Sequence, residues 1–173
     1  IGRLEPYRRI DDYFKYLEEI KKEIPDIRGD IIGSGIEESK VIEYCKKFKN
    51  ITYHGRLEDE SKISKIMSEN CAVFVPGSSG LSVNHAFAYG RPYITQDLPG
   101  HGPEISHLID GGNGYLLKTT FLKNVEKIVK LLLDYESLST FCKNAKKTGE
   151  YLSINNYTKN VIRSLMEKKE SPI

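Results

Sequence analysis

The sequence lacks a long hydrophobic run, and no apolar stretch approaches the roughly 20 residues that a membrane-spanning helix requires. It also lacks an excess of charge, because 26 lysines and arginines face 24 aspartates and glutamates and leave a net charge of +2. Because the positive and negative charges are nearly equal in number, the chain does not have the basic surface typical of nucleic-acid binding. We therefore expect one domain that neither crosses a membrane by itself nor binds nucleic acid.

Cysteine is scarce as well. Cys45, Cys71 and Cys142 are odd in number and far apart, without the paired spacing of a zinc site or a redox dithiol. We expect three reduced core thiols in a cytoplasmic protein. The chain begins on Ile1, inside what reads as a strand, and has no signal-peptide pattern. We expect it to be a piece of a longer protein.

Short catalytic motifs are absent too: there is no nucleophile elbow, His-Glu-x-x-His pair, Walker A lysine loop or Cys-His arrangement. Glu104 and His107 have the i, i+3 spacing that could hold a metal, with His101 nearby, but no third ligand has suitable spacing. We expect no metal ion and no cofactor, and chemistry that does not depend on a nucleophilic triad.

What the chain does have is an alternation of short apolar strands and amphipathic helices over residues 1–118. This alternation predicts a doubly wound, Rossmann-like α/β fold with one open parallel sheet covered on both faces. After residue 118 only helices are predicted, so 119–173 form a helical extension within a single domain, 1–173. The predicted strands are an opening strand at residue 1, then 27–32, 51–53, 72–75, 92–95 and 115–117; the predicted helices are 11–24, 39–48, 58–70, 81–89, 121–135, 137–152 and 157–168.

Glycine-bearing loops follow four of these strands, at Gly33, Gly55, Gly77 and Gly100. Because the strands are parallel, these loops meet at the carboxyl edge of the sheet, where ligands bind in such folds. The loop 76–80 leads directly into a helix. The first N–H groups of a helix lack internal partners and lie at the positive end of its dipole, so this loop is a candidate anion site.

Three arginines, Arg3, Arg8 and Arg9, follow the opening strand and should reach the same edge. Guanidinium groups bind phosphate oxygens bidentately, and two of them facing a helix start would suit a diphosphate. The alternative is that the three arginines form a solvent-exposed basic turn that binds no ligand, because charged side chains are usually exposed to water. The shared edge favours the diphosphate.

Two other features are weaker by themselves. Gly33-Ser34-Gly35 lacks the third glycine of a dinucleotide fingerprint, so a tight turn is the better interpretation and we predict no NAD site. His85 is a lone histidine on an apolar helix, a setting in which a hydrogen-bonded core residue is the common case. Because His85 lies near the loop 76–80, it is nevertheless a candidate ligand-binding residue.

In order and spacing, these segments resemble the C-terminal, donor-binding half of a GT-B glycosyltransferase, closest to glycosyltransferase family 4 (the group 1 type), from residue 1 to about residue 117. That half begins with a strand ending Gly-Arg-Leu, here Gly2-Arg3-Leu4, and five residues after the arginine the family has a lysine where this chain has Arg8. The resemblance implies that Arg3 and Arg8 bind the donor diphosphate. It also implies that His54-Gly55-Arg56 lies near the nucleotide base and that Gly33 and Gly35 form the turn after the second strand.

The family signature, Glu-Gly-Phe-Gly-Leu-Pro-x-x-Glu-Ala-x-Ala-x-Gly-x-Pro, is similar without a gap to residues 77–92, which begin Gly77-Ser78-Ser79-Gly80-Leu81. Both glutamates are replaced, by Gly77 and by His85. In the family the second holds the ribose hydroxyls, a role that neutral His85 could fill, and the first lies close to the sugar. Pro103-Glu104-Ile105 and the segment 110–115 resemble loops beside the donor.

The resemblance implies a glycosyltransferase of the hexosyltransferase type that retains anomeric configuration and uses a UDP-sugar or GDP-sugar. Arg3, Arg8 and the helix start would stabilise the departing diphosphate without a metal. The acceptor, a glycan or lipid-linked molecule of surface polysaccharide synthesis, would bind a missing N-terminal half, so this part alone should transfer little. Full-length relatives act in the cytoplasm, often at the inner face of the membrane.

Two alternatives stay open. A GT-B sugar-nucleotide epimerase would share the fold and the diphosphate site but would need acid–base groups at the sugar, for which His101 and Glu104 are the local candidates. A non-enzymatic relative that binds a partner is suggested by the loss of both signature glutamates.

Overall fold

The computed structural model describes residues 1–167 and contains five strands, seven helices and two 3₁₀ turns within that range. The 3₁₀ turns are Pro6–Arg8 and Pro103–His107. The strands are β1 (Gly29–Ile31), β2 (Ile51–Tyr53), β3 (Val73–Phe74), β4 (Tyr93–Gln96) and β5 (Gly114–Leu117). The helices are α1 (Ile10–Glu23), α2 (Glu38–Lys47), α3 (Glu60–Glu69), α4 (Ser82–Ala88), α5 (Phe121–Leu133), α6 (Tyr135–Tyr151) and α7 (Ile154–Glu167).

All strand pairs are parallel, which confirms the predicted fold class. The strands form two sheets instead of one: β1 pairs with β2, and β4 lies between β3 and β5. Every strand is followed by a helix or a 3₁₀ turn, so the carboxyl ends of the strands in each sheet open on one edge. The loops after β1 and β2 meet there, since the N–H of Gly33 donates to the carbonyl of Gly55 at 2.8 Å.

The prediction of a sixth, opening strand is wrong. Residues 1–5 form no regular strand, although the N–H groups of Gly2 and Leu4 donate to the carbonyls of Ile32 and Ser34, both at 2.9 Å. These bonds hold the segment beside the turn that follows β1, where a Cβ on Gly33 would overlap the carbonyl oxygen of Gly2. Two bonds to an irregular turn do not continue a ladder, which explains why the strand does not form.

An apolar cavity separates the two sheets. It is lined by β1 and β3, by α1 and α3, and by Ile1 at one end. The opening segment, residues 1–4, also lines this cavity.

The core lies on both faces of the sheets, and the helices after residue 118 belong to it. Ile94 of β4 packs with Tyr16 of α1 and Ile128 of α5 on one face. On the other face Phe87 of α4 packs with Ala145 of α6. Helices α4 and α6 approach so closely that a Cβ on Gly149 would lie 2.5 Å from the Phe87 carbonyl carbon. Residues 121–151 are therefore part of the packed domain and not an appendage.

The last predicted helix starts earlier than expected, at Ile154, and Lys168, its predicted end, lies outside the described residues. Within the described range, no helix is both long enough and apolar enough to cross a bilayer.

The three cysteines are free, but the expectation that they lie in the core is wrong. Cys45 and Cys142 are half-buried, and Cys71 is exposed because it sits in the bend that leads into β3. Burial still raises the pKa of the Cys45 thiol.

Candidate diphosphate site

The opening turn, Pro6–Arg8, packs directly against the loop that follows β3. The N–H of Gly77 donates to the carbonyl of Arg8 at 3.1 Å, and the N–H of Ser78 donates to the carbonyl of Tyr7 at 2.8 Å. The two segments that the sequence placed at one edge of the sheet are thus hydrogen-bonded to each other. Gly100, in the loop after β4, borders the same place, since a Cβ there would lie 3.5 Å from the Ser78 hydroxyl.

Arg8 reaches across this loop. Its Nη1 donates to the carbonyl of Ser78 at 2.8 Å and to the hydroxyl of Ser82 at 3.3 Å. Its Nε is buried and has no acceptor among the described residues. Gly2 lies beside the other end of the guanidinium, where a Cβ would come within 3.6 Å of Nη2. Nη2 makes no hydrogen bond within the described residues, and a half-buried guanidinium with such a free terminal nitrogen is suited to binding an anion.

The other two arginines differ from Arg8 in their surroundings. Arg3 is exposed, and no partner for its side chain is found in the described part of the chain. Arg9 is engaged, since its Nη1 donates to Gln96 Oε1 at 3.1 Å and to Asp12 Oδ2 at 3.4 Å. Arg3 is therefore free to bind a ligand together with Arg8, and Arg9 is held in the structure.

Three consecutive backbone donors lie in the same loop as Ser78, the acceptor of the Arg8 guanidinium. Within residues 1–167, the N–H groups of Gly80, Leu81 and Ser82 donate to no acceptor. Ser82 is the first residue of α4, and Leu81 is exposed. Together with the Arg8 guanidinium, these three donors make the surface of the loop 77–82 positive.

A buried network of hydroxyl groups supports the loop from below. Tyr93 donates to Ser79 Oγ at 2.9 Å, the Ser79 hydroxyl lies 3.2 Å from Thr95 Oγ1, and Thr95 donates to the Gly77 carbonyl at 3.1 Å. Tyr93 also contacts Ser82 Oγ at 2.8 Å. Burial raises the pKa of Tyr93, which keeps its hydroxyl protonated.

Our sequence reasoning missed this network. The available signal was the i, i+2 spacing of two hydroxyl side chains, Tyr93 and Thr95, in an otherwise apolar strand, because such residues share one face.

His101 links the loop after β3 to the loop after β4. Its Nδ1 accepts a hydrogen bond from the Ser79 N–H at 2.9 Å, and its Nε2 lies 2.9 Å from the carbonyl of Gln96. An N–H can only donate and a carbonyl can only accept, so Nδ1 carries no proton and Nε2 carries one. Both ring nitrogens are therefore used by the backbone, and His101 has none left for proton transfer.

Replacing His101 with alanine is expected to leave the Ser79 N–H and the Gln96 carbonyl without a partner, at a cost of about 1–3 kcal/mol in unfolding free energy. Glutamine carries one acceptor and one donor on its amide and should recover part of that loss. Urea unfolding of both variants, with hydrogen exchange at the Ser79 amide, tests this. Equal exchange rates in the alanine variant and the unmodified protein would contradict it.

Glu104 lies beside Gly80, just before α4. It belongs to the turn Pro103–His107, and its Oε2 would be 3.9 Å from a Cβ on Gly80 and 2.5 Å from one on Gly102. The side chain is half-buried, and its carboxylate has no hydrogen-bond or ion-pair partner among the described residues.

His85 lies on α4 and points toward α3. Its ring is 5.3 Å from the ring of Tyr89, whose hydroxyl contacts Glu60 of α3. Burial lowers the pKa of His85, with Glu60 acting in the opposite direction, so the imidazole is neutral at neutral pH. No hydrogen bond to the ring forms within the described range, which leaves a nitrogen available to a ligand hydroxyl.

The side chains proposed near the base lie farther along the edge. His54 Nε2 is 2.6 Å from Asp30 Oδ1, and Arg56 pairs with Glu58 at 2.7 Å on the surface. No hydrogen bond or ion pair joins either residue to the segment 77–82 in the described structure. Gly35 packs its Cα against the backbone of Leu4, so its role in the structure is close packing of the turn 33–35.

Within the described residues, no three histidine, cysteine, aspartate or glutamate side chains come together in an arrangement that could hold a metal ion. The i, i+3 pair of Glu104 and His107 therefore stands without a third ligand.

Comparison with known proteins decides the family. The family model described as "Glycosyl transferases group 1" matches residues 1–148, well beyond residue 117, where the resemblance in the sequence was expected to end. The chain belongs to the glycosyl transferases group 1. The poly(glycerol-phosphate) alpha-glucosyltransferase of Bacillus subtilis (strain 168) is 30% identical over 168 residues, covering 92% of this chain and 24% of that protein. The chain thus spans about a quarter of the length of the curated relatives it matches.

Solved structures of this family share the fold. The pneumococcal O-GlcNAc transferase GtfA, in complex with UDP and GlcNAc, superposes with a TM-score of 0.77 at 22% identity over 98% of this chain and 35% of that one. The C-terminal domain of a glycosyl transferase group 1 family protein from Francisella tularensis gives a TM-score of 0.70 at 20% identity, covering 88% of this chain and 83% of that domain. The predicted GT-B C-terminal fold is confirmed.

Proposed function

We propose that this chain binds the nucleotide-sugar donor of a glycosyltransferase and that the diphosphate lies at the loop 77–82. The observation that carries the proposal is the convergence of the Arg8 guanidinium with the free N–H groups of Gly80, Leu81 and Ser82. Arg3 is free to join them, which makes both arginines candidates for the role predicted from the sequence. The structure of the pneumococcal relative is a complex with UDP, which supports a uridine nucleotide as the ligand of this chain.

In this proposal the chemical step breaks the bond between the anomeric carbon of the sugar and a phosphate oxygen. Negative charge grows on the departing diphosphate, and its stabilisation is what lowers the barrier. Arg8, Arg3 and the backbone donors are positioned before the reaction begins, and such preorganised charge contributes several kcal/mol in enzymes. No metal ion is needed for this role, and we propose that the sugar keeps its anomeric configuration as in family 4.

His85 and the glycines after β1 and β2 complete the proposed donor site. The neutral imidazole is placed to accept or donate one hydrogen bond with a ribose hydroxyl. His54, Gly55 and Arg56 extend the site toward the base. The turn containing Gly33 and Gly35 holds Gly2 and Leu4 in place, so it shapes the site through backbone packing.

We propose that the acceptor is a glycan or lipid-linked molecule of a surface polymer, reached in the cytoplasm or at the inner face of the membrane. The name of the B. subtilis relative, a poly(glycerol-phosphate) glucosyltransferase, supports a polymer acceptor. No acceptor site is proposed on this chain, so it should bind donor yet transfer little by itself.

The alternatives lose support at specific residues. An epimerase would need acid–base groups at the sugar; both nitrogens of His101 are occupied by backbone, which leaves Glu104 as the remaining candidate of the two. A partner-binding module without a donor predicts no nucleotide affinity, which titration can decide.

The test is calorimetric titration of the protein with UDP and GDP, in buffer containing EDTA. We expect saturable binding of UDP, weaker binding of GDP, and a UDP dissociation constant raised about tenfold in His85→Ala, the effect of one lost hydrogen bond. His107→Ala, which removes an imidazole at the end of the turn Pro103–His107, serves as the matched control. Absence of binding to either nucleotide at millimolar concentration would contradict the proposal and favour the partner-binding module.

A further inference from the structure

The carboxylate of Glu104 occupies an unusual position. It lies against Gly80 and Gly102 at the edge of the positive surface, yet it has no cationic partner among the described residues. A glutamate in the first turn of a helix commonly interacts with free N–H groups at that helix start. Here the side chain instead extends across Gly102 toward the neighbouring loop, and its turn has only five residues.

No other carboxylate can replace it from the loop itself. Gly77 begins that loop, and a side chain there would overlap the carbonyl oxygen of Tyr7 and come within 2.6 Å of the Arg8 Cα. The loop therefore carries no side chain at its start, and the residues up to Leu81 contribute no charge. Glu104 supplies the negative charge beside Gly80 from a separate segment.

The chemistry of a ligand beside Glu104 follows from this arrangement. A carboxylate only accepts hydrogen bonds, and it repels phosphate oxygens. The part of the ligand that faces it must therefore carry hydrogen-bond donors and must adjoin the phosphates held by Arg8 and the backbone. In a nucleotide sugar, the hydroxyl-bearing groups next to the diphosphate are the ribose and the transferred sugar.

The two sides of the loop distinguish these groups. His85 lies on α4 within electrostatic reach of Glu60 of α3, whereas Glu104 lies beside Gly80 and Gly102 in the segment after β4. With the ribose on the His85 side, the sugar faces Glu104. We propose that Glu104 is a specificity-determining residue that accepts hydrogen bonds from hydroxyl groups of the transferred sugar. This inference rests on the proposed donor site.

The test compares UDP with UDP-glucose and UDP-N-acetylglucosamine in Glu104→Gln, which keeps the shape of the side chain and removes its charge. We expect the dissociation constant of the bound UDP-sugar to rise about tenfold, because a charged hydrogen bond becomes a neutral one. UDP should bind as well as before or slightly more tightly, since a negative charge near the diphosphate is gone. Unchanged UDP affinity also shows that the variant is folded.

Glu23→Gln is the matched control, because Glu23 is exposed at the end of α1 that points away from the site. UDP-sugar affinity in Glu104→Gln equal to that of the control, with UDP binding intact in both, would overturn the role of Glu104. A loss that is the same for UDP and the UDP-sugars would also overturn it, since it would indicate an effect on the diphosphate. Failure of the unmodified protein to bind UDP would instead contradict the donor site itself, and this inference with it.

Discussion

Gly77→Ala is expected to lower the unfolding free energy by about 3 kcal/mol or more, the largest stability effect we predict in the site. The added Cβ would lie 2.5 Å from the carbonyl carbon of Arg8 and 2.6 Å from its Cα, besides overlapping the Tyr7 carbonyl oxygen. All three atoms belong to the backbone, so no side chain can move aside. Relief requires the opening turn to separate from the loop, which breaks the Gly77 and Ser78 hydrogen bonds and displaces Arg8. Urea unfolding measures the loss.

Gly80→Ala is the matched control in the same loop. A Cβ there meets only the Oε2 of Glu104, at 3.9 Å, which is ordinary van der Waals contact. Its unfolding midpoint should stay close to that of the unmodified protein. Equal midpoints for the two variants would show that the opening turn and the loop are not packed as described.

Arg8→Ala is expected to raise the dissociation constant of UDP between about 10- and 100-fold, the range for losing one charged hydrogen-bonding group. Arg8→Lys keeps the charge but loses the planar fork, so it should fall between alanine and the unmodified protein. The effect should be specific to the diphosphate: the preference for UDP over UMP should shrink in Arg8→Ala. Calorimetric titration with both nucleotides provides the comparison.

Two checks separate the phosphate role of Arg8 from its structural one. Arg8 also donates to the Ser78 carbonyl, so the thermal midpoint of each variant is measured beside the affinity. Arg28→Ala removes an exposed arginine that precedes β1 at the opposite edge of the sheet, and it should leave UDP binding unchanged. A variant without Arg8 that still prefers UDP over UMP as strongly as before would place the diphosphate elsewhere.

The architecture was predictable from local patterns. β2 was predicted with its observed bounds, and the other strands and helices lie within a few residues of their predicted limits, because hydrophobic periodicity depends on neighbouring residues only. The opening strand was mistaken for the same reason: residues 1–4 have a strand-like pattern, but their hydrogen-bonding partners are set by the turn 33–35, which periodicity does not register.

The candidate site was predictable in place and only partly in detail. The prediction that Arg8 lies beside the loop after β3 was correct although its opening strand does not form, because the backbone of Tyr7 and Arg8 is hydrogen-bonded directly to Gly77 and Ser78. Residue type and position alone did not distinguish Arg8 from Arg9; the family resemblance selected Arg8, and the structure adds that Arg9 is engaged by Gln96. His101 was expected to be a candidate acid or base, and its contacts make it a backbone anchor.

By itself, the sequence determined the order of the helices and of strands β1 to β5, the parallel α/β class and the absence of an obvious nucleophile, and it led to the proposal of the edge at which a ligand would bind. These depend on periodicity, on residue type and on topological rules that hold along the chain. The tertiary structure alone decided the contacts of Arg8 with Ser78, of Ser79 with His101 and of Glu104 with Gly80. Each joins residues from different elements, and the physical reason is that packing between distant segments, and not local pattern, sets where a side chain points.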